Sequence, residues 1–308
     1  MNRAEQTVVL VPHDEGVSAL SRVPDVQPVR YDPKAPLPAS GLGARVLIPA
    51  FLAPAAALEV VAQLPDLMLV QLLSAGAEHW LGALPDGIAL SDCKGAHGGA
   101  TAEWVLAVLL ATYRQLPRFV RAQDEGRWDH SPTEELAGKR VLILGAGDLG
   151  TQTARRLASF DATATLVAST ARPGVHGIDE VPVLLPEHDV CVLTVPLTPA
   201  TAGLVDKDFL AAMPDGAVLV NAARGKIVDT EALVNELTSG RLRAALDVTD
   251  PEPLPEGHPL WQAPGLLLTP HVGGGVPEAM RRAYAVVAEQ LAAFVRGEDP
   301  PNLVRGDY

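Results

Sequence analysis

Two cysteines, Cys93 and Cys191, are all that this 308-residue chain holds. They are too few and too far apart for a disulfide framework or a metal-ligand cluster, and they point to a reducing compartment and no metal site. Basic residues are also scarce: 24 Lys and Arg against 37 Asp and Glu leave a formal net charge of −13. A chain this acidic is poorly suited to nucleic acid or to an anionic membrane surface. A small anionic substrate is not excluded, because a few Arg and His side chains inside a cleft can outweigh the global field. Long apolar runs are missing as well. One early basic residue, Arg3, precedes a six-residue apolar-leaning stretch at residues 7–12. That stretch is too short for a leader core and far too short for a membrane span, so the expected location is the cytoplasm. No internal repeat of solenoid period is visible.

What is present is alternation. Short runs rich in Val, Leu and Ile, at residues 7–12, 45–49, 68–73, 140–144, 163–167, 190–195, 217–221, 244–248 and 266–269, are expected to be buried strands of parallel sheets. Amphipathic stretches such as residues 102–116, 149–160 and 230–237 separate many of them. The pattern predicts a doubly wound α/β architecture, with length enough for two domains. The Pro-rich residues 23–38 are expected to form a loop-rich edge.

The strongest landmark is KRVLILGAGDLG at residues 139–150. An apolar strand runs into Gly145-x-Gly147-x-x-Gly150 and then into the helix-like TQTARRLASF. A bare glycine triplet is weak evidence, but here the strand before it and the helix after it complete a dinucleotide-binding fingerprint. Gly145 would permit the tight turn, Gly147 the approach of a pyrophosphate, and Gly150 close helix–sheet packing. The phosphates would sit at the helix N-terminus, against Asp148 and Leu149.

Four further segments carry a specific resemblance: VCVLTVPLTPATAGLVDKDFLAAMPDGAVLVNAARGKIVDTEAL, RLRAALDVTDPEP, HPLW and LLLTPHVGG. In order and spacing they resemble the D-2-hydroxyacid dehydrogenases, a family that includes glyoxylate/hydroxypyruvate reductases and phosphoglycerate dehydrogenases. The likeness runs from about residue 68 to about residue 297. It implies an α/β fold of two doubly wound parallel-sheet domains. A Rossmann dinucleotide-binding domain at residues 97–274 would be inserted into a flavodoxin-like substrate domain made of residues 1–96 and 275–308, with the active site in the cleft between them. It also implies a homodimer.

The same resemblance implies a catalytic trio: Arg224 of NAARG, Glu252 of DVTDPEP and His271 of TPHVGG. The residue types suit hydride transfer to a 2-keto acid. Arg224 offers a planar fork of donors to the carboxylate and carbonyl. His271 can give a proton to the carbonyl oxygen and recover it in reverse. Glu252 would favour the charged imidazole and fix its orientation, with Asp250 close enough to compete for that role. Backbone N–H groups at Ala75 and Gly76 would hold the substrate carboxylate. Thr101, Val195, Pro196, Ala222, Ala223, Asp247 and Gly273 match positions that line the cofactor. His97, His79 and Trp80 read as loop or edge residues, although His97 could approach the cleft. Cys93 and Cys191 read as small buried apolar side chains.

One departure concerns the cofactor. NAD-specific members end the second Rossmann strand with an acid that binds the ribose 2′-hydroxyl. Here the strand runs into Ala168-Ser169-Thr170-Ala171-Arg172. Ser169, Thr170 and Arg172 could bind a 2′-phosphate, so the expectation favours NADP over NAD. Two other functions compete. A formate- or phosphonate-type dehydrogenase shares the scaffold, but formate enzymes carry Gln where this chain has Glu252. A nucleotide-sensing corepressor-like protein can keep the trio, but no long basic or disordered extension is present to support it.

Overall fold

In a computed structural model the chain is described over residues 6–51 and 54–306, with side chains left aside at residues 54–56. Arg3, on which the leader reading partly rests, lies outside the described residues. The chain divides into two compact units, Met1–His97 with Pro277–Tyr308, and Gly98–Val276.

The first unit begins with β1 (Thr7–Val11), α1 (Asp14–Leu20), β2 (Val26–Arg30), β3 (Val46–Leu47), α2 (Pro54–Val61), β4 (Leu69–Gln71) and β5 (Ala89–Ser91). The second contains α3 (Gly98–Tyr113), α4 (Leu116–Asp124), β6 (Arg140–Leu144), α5 (Asp148–Leu157), β7 (Thr163–Ala168), β8 (His176–Gly177), α6 (Val181–Leu184), β9 (Val190–Leu193), α7 (Lys207–Ala212), β10 (Val218–Asn221), α8 (Thr230–Thr238), β11 (Arg243–Leu246) and β12 (Leu266–Leu268). The last helix, α9 (Ala279–Val295), belongs to the first unit.

Each unit is built on a parallel sheet. In the first, the order is β2-β1-β3-β4-β5. This is the flavodoxin-type order, with its switch point between β1 and β3. In the second, the order is β12-β11-β10-β9-β6-β7-β8. The strand sequence reverses between β6 and β9, the Rossmann arrangement, whose ligands bind outside the carboxyl ends of the strands at that point.

The apolar runs sort onto two faces because side chains alternate along a strand. In the second unit Leu142, Leu144, Cys191, Leu193 and Leu219 join a core with Val181, Leu210 and Leu233. Their neighbours Val141, Ile143, Val190, Val192 and Val220 face the other way, onto Val105 and Leu109 of α3 and Leu157 of α5. In the first unit Val9, Val46 and Leu69 face Tyr284 and Val287 of α9, whereas Leu10, Leu47 and Val70 face Val60 and Val61 of α2. Burying each Val or Leu of this kind contributes roughly 1.5–3 kcal/mol, which is what holds both faces of a parallel sheet covered by helices.

The sequence reading needs one correction here. Residues 23–38 are not only loop: they contain β2, paired in parallel with β1. Pro28 fits this strand because β2 is the sheet edge, where its missing N–H breaks no ladder bond. The short strands β5 and β8 were not anticipated either. On the far side of β5, Leu303 forms an antiparallel bridge with Ser91, so the C-terminal segment covers that edge.

Candidate active site

The glycine loop links β6 to α5. Gly145 has φ +117°, a conformation that side chains rarely adopt, and an added Cβ would lie 2.4 Å from Thr194 Oγ1. Thr194 Oγ1 in turn donates to the Gly145 carbonyl at 2.9 Å. At Gly150 a Cβ would meet the Gly145 carbonyl oxygen at 1.9 Å, so the helix can approach the strand only without a side chain. At Gly147 a Cβ would meet nothing within 4 Å. The second glycine is therefore not demanded by protein packing. It borders open space at the N-terminus of α5, the place a pyrophosphate occupies in a dinucleotide fold.

Asp148 begins α5, and its carboxylate lies against Gly98, where a Cβ would be only 2.0 Å from Oδ2. Leu149 lends its carbonyl to Thr153 Oγ1 at 2.9 Å. After β7, Ser169 and Thr170 are exposed. Arg172 donates from Nη2 to the Ala146 carbonyl at 3.1 Å, which brings a guanidinium to the glycine loop itself. These residues fit a nicotinamide dinucleotide: a glycine cradle open on one side, a helix N-terminus, and a cation where an acid would select against a 2′-phosphate.

The remaining groups follow the carboxyl ends of β9 to β12. Just beyond β9, Val195 is partly exposed and Pro196 is exposed. β10 ends at the buried Asn221, whose Oδ1 accepts from Ala223 N at 3.0 Å and whose Nδ2 donates to the Arg224 carbonyl at 2.9 Å. These bonds close the turn Ala222-Ala223-Arg224. Gly225 packs so closely on the next loop that a Cβ would fall 1.9 Å from the Thr249 carbonyl oxygen. The half-buried Arg224 donates from Nη1 to the Ala223 carbonyl at 2.7 Å.

Asp247, buried at the end of β11, organises the loop after β12. Its Oδ1 accepts from Thr269 Oγ1 at 2.6 Å and Val272 N at 2.9 Å, and its Oδ2 from Gly273 N at 2.8 Å. Its carbonyl accepts from His271 N at 2.7 Å. His271 is held at φ +55°, in the left-handed region, by these flanking bonds. Its Nδ1 lies 2.7 Å from Glu252 Oε1. Glu252, not Asp250, is the carboxylate on the imidazole; Asp250 is engaged through its carbonyl with Thr230 Oγ1. A Cβ on Gly273 would meet Asp247 Oδ2 at 2.9 Å and Thr101 Cγ2 at 3.3 Å, so Thr101, Asp247 and Gly273 form one packed group.

Two predicted residues, Ala75 and Gly76, belong to the other unit, on the loop after β4. The sequence reading missed the supports: Thr194, Asn221, Gly225 and Thr269. Each lies inside or beside a motif already singled out, and a polar residue capping an apolar strand, as in VLVN and LLLT, was the available signal. The cysteines take no part. Burial pushes the Cys93 thiol up to about 12, with Asp92 adding to the effect, and burial raises Cys191 further, so both remain protonated.

Similarity to known proteins shows the family. Residues 106–273 match the family described as D-isomer specific 2-hydroxyacid dehydrogenase, NAD binding domain. The chain belongs to that family. It is 34% identical over 263 residues to a glyoxylate reductase of Thermofilum pendens, covering 80% of this chain and 77% of that protein. It is 36% identical over 256 residues to a D-3-phosphoglycerate dehydrogenase of Mycobacterium bovis, of which it spans about half the length: 80% of this chain, 48% of that one. Among solved structures, a D-isomer specific 2-hydroxyacid dehydrogenase from Xanthobacter autotrophicus, in complex with NADPH and MES, superposes with TM-score 0.83. It is 31% identical and covers 97% of this chain and 98% of that one. The protein is thus an NAD(P)-dependent oxidoreductase of the 2-hydroxyacid dehydrogenase type.

Proposed function

We propose that this dehydrogenase reduces a small 2-keto acid, such as glyoxylate or hydroxypyruvate, to the 2-hydroxy acid, with D configuration where the product is chiral, and uses NADPH in preference to NADH. The observation that carries the chemistry is the 2.7 Å contact between His271 Nδ1 and Glu252 Oε1. The carboxylate accepts from Nδ1, which leaves Nε2 to give a proton to the substrate oxygen in reduction and to take it back in oxidation. Arg224 offers its fork of donors to the substrate carboxylate and to the oxygen on which charge develops. Ala75 and Gly76 are assigned to the substrate carboxylate through their backbone N–H groups. The nicotinamide, when bound, supplies or accepts the hydride. Val195, Pro196, Ala222, Ala223, Thr101, Asp247 and Gly273 are assigned to the lining of the cofactor site, and Asp247 also fixes the His271 loop.

The cofactor preference rests on Ser169, Thr170 and Arg172, with the guanidinium bonded to Ala146 in the glycine loop. The relative from Xanthobacter was solved with NADPH. The same reading takes the protein as a cytoplasmic homodimer.

The test is a panel of 2-keto acids of increasing size, each with NADPH and NADH. The expected outcome is turnover of the smallest acids and a higher kcat/KM with NADPH. Arg172→Ala should raise KM for NADPH and leave that for NADH nearly unchanged. A tenfold preference for NADH, about 1.4 kcal/mol, would overturn the cofactor assignment, and no turnover of any 2-keto acid would overturn the substrate class.

A further inference from the structure

The loop after β4 is fastened by its carbonyl groups. Gln71, fully buried, donates from Nε2 to the Leu72 carbonyl at 3.0 Å and to the Asp92 carbonyl at 2.9 Å. His97 Nε2 lies 2.7 Å from the Leu73 carbonyl oxygen. Cys93 N donates to the Ser74 carbonyl at 2.8 Å. Ser74 Oγ donates to the Gly76 carbonyl at 2.9 Å. The carbonyls of Leu72, Leu73, Ser74 and Gly76 are therefore bonded within this unit. A trans peptide is planar, and its N–H points opposite to its C=O. Fixing the carbonyls at Leu73 and Ser74 therefore fixes where the N–H groups of Ser74 and Ala75 point.

Among these supports His97 is the only one that reaches the loop from a distant part of the chain through a side chain. A carbonyl oxygen can only accept, so Nε2 carries the proton and donates. The ring is packed against Phe51, on the segment that follows β3, with centroids 5.8 Å apart, which holds the imidazole in place. Cys93 N is a backbone donor and serves whatever side chain is present. His97 is thus a replaceable latch on the Leu73–Ser74 peptide.

We infer that His97 is a positioning residue for substrate binding: its Nε2–H holds the Leu73 carbonyl and so anchors the Leu73–Ser74 peptide, the point from which the Ser74-Ala75-Gly76 loop starts, which keeps that loop in place for the substrate carboxylate. The inference rests on the assignment of Ala75 and Gly76 to that carboxylate. His97 itself touches neither substrate nor cofactor in this role. Its loss shows in substrate affinity and spares both the proton transfer and cofactor binding.

The experiment compares wild type with His97→Leu, His97→Gln and Gly76→Pro. It measures KM and kcat for glyoxylate, the dissociation constant of NADPH by fluorescence, and the thermal midpoint. His97→Leu removes the donor and should raise KM about tenfold, with kcat within threefold and NADPH affinity unchanged. His97→Gln carries an amide that can reach the same carbonyl and should restore KM to within threefold of wild type. Gly76→Pro deletes an N–H assigned to the carboxylate and should raise KM whatever His97 does. If His97→Leu leaves KM unchanged while Gly76→Pro raises it, the loop binds substrate but His97 does not position it. If neither variant changes KM, the carboxylate assignment is wrong and the inference falls with it. If His97→Leu weakens NADPH binding equally, or Gln gives no rescue, His97 is a general packing residue and the inference is overturned.

Discussion

At the scale of the residue, the three glycines of the loop separate two demands that a sequence pattern merges. Gly150 is required by the protein, since a Cβ would collide with the Gly145 carbonyl at 1.9 Å. Gly147 is not, since a Cβ there would meet nothing within 4 Å. Gly150→Ala should therefore destabilise the fold by about 1–3 kcal/mol, the usual range for overpacking. Gly147→Ala should leave the thermal midpoint where it is and weaken NADPH binding by an order of magnitude or more. Calorimetry and a cofactor titration on both variants check this; equal thermal losses in the two would refute the distinction. The spacing Gly-x-Gly-x-x-Gly announced the loop, yet only the backbone shows which glycine the packing requires and which borders open space. The pairing of Glu252 with His271 was open in the sequence for a similar reason. Asp250 and Glu252 are two residues apart, and the path of the chain decides which carboxylate reaches Nδ1.

Elements were legible where burial is two-sided. β6, β9 and β10 are continuous apolar runs with both faces covered, and a parallel sheet leaves that imprint on sequence. β2 was not legible. It is an edge strand with a proline and with polar residues at Gln27 and Arg30, so its composition imitates a loop. β5 and β8 span three and two residues, too few for any period to show. Strand ends gave the positions of Arg224 and His271, but the ties between elements lie in tertiary contacts. Asp247 binds the end of β11 to the loop after β12 through three donors to its carboxylate. Asp247→Asn turns one acceptor into a donor facing backbone N–H groups. It should cost about 1–3 kcal/mol in denaturant unfolding and lower kcat, because the left-handed turn at His271 loses its clamp. An Asn variant with wild-type stability and kcat would remove Asp247 from this role.

At the scale of the whole molecule, two parallel sheets of different strand order are each wound so that functional loops gather at the carboxyl ends of strands. The acidic net charge of −13 sets the background. On the proposed function, anion recognition falls to local devices: the N-terminus of α5, Arg172 beside the glycine loop, Arg224 after β10, and the fastened loop after β4. In the proposed reaction His271, held by Glu252, moves the proton that accompanies hydride transfer. Reduction of the keto acid requires imidazolium, and oxidation of the hydroxy acid requires neutral imidazole. The most direct measurement is a pair of pH–rate profiles, one in each direction, for wild type and His271→Ala. Wild-type reduction should decline as pH rises while oxidation increases over the same interval. Both limbs should vanish in His271→Ala, with turnover lower by about 10²–10⁴, the usual worth of a positioned acid–base group. Limbs that persist unchanged in His271→Ala, or that run in the same direction for both reactions, would contradict that role.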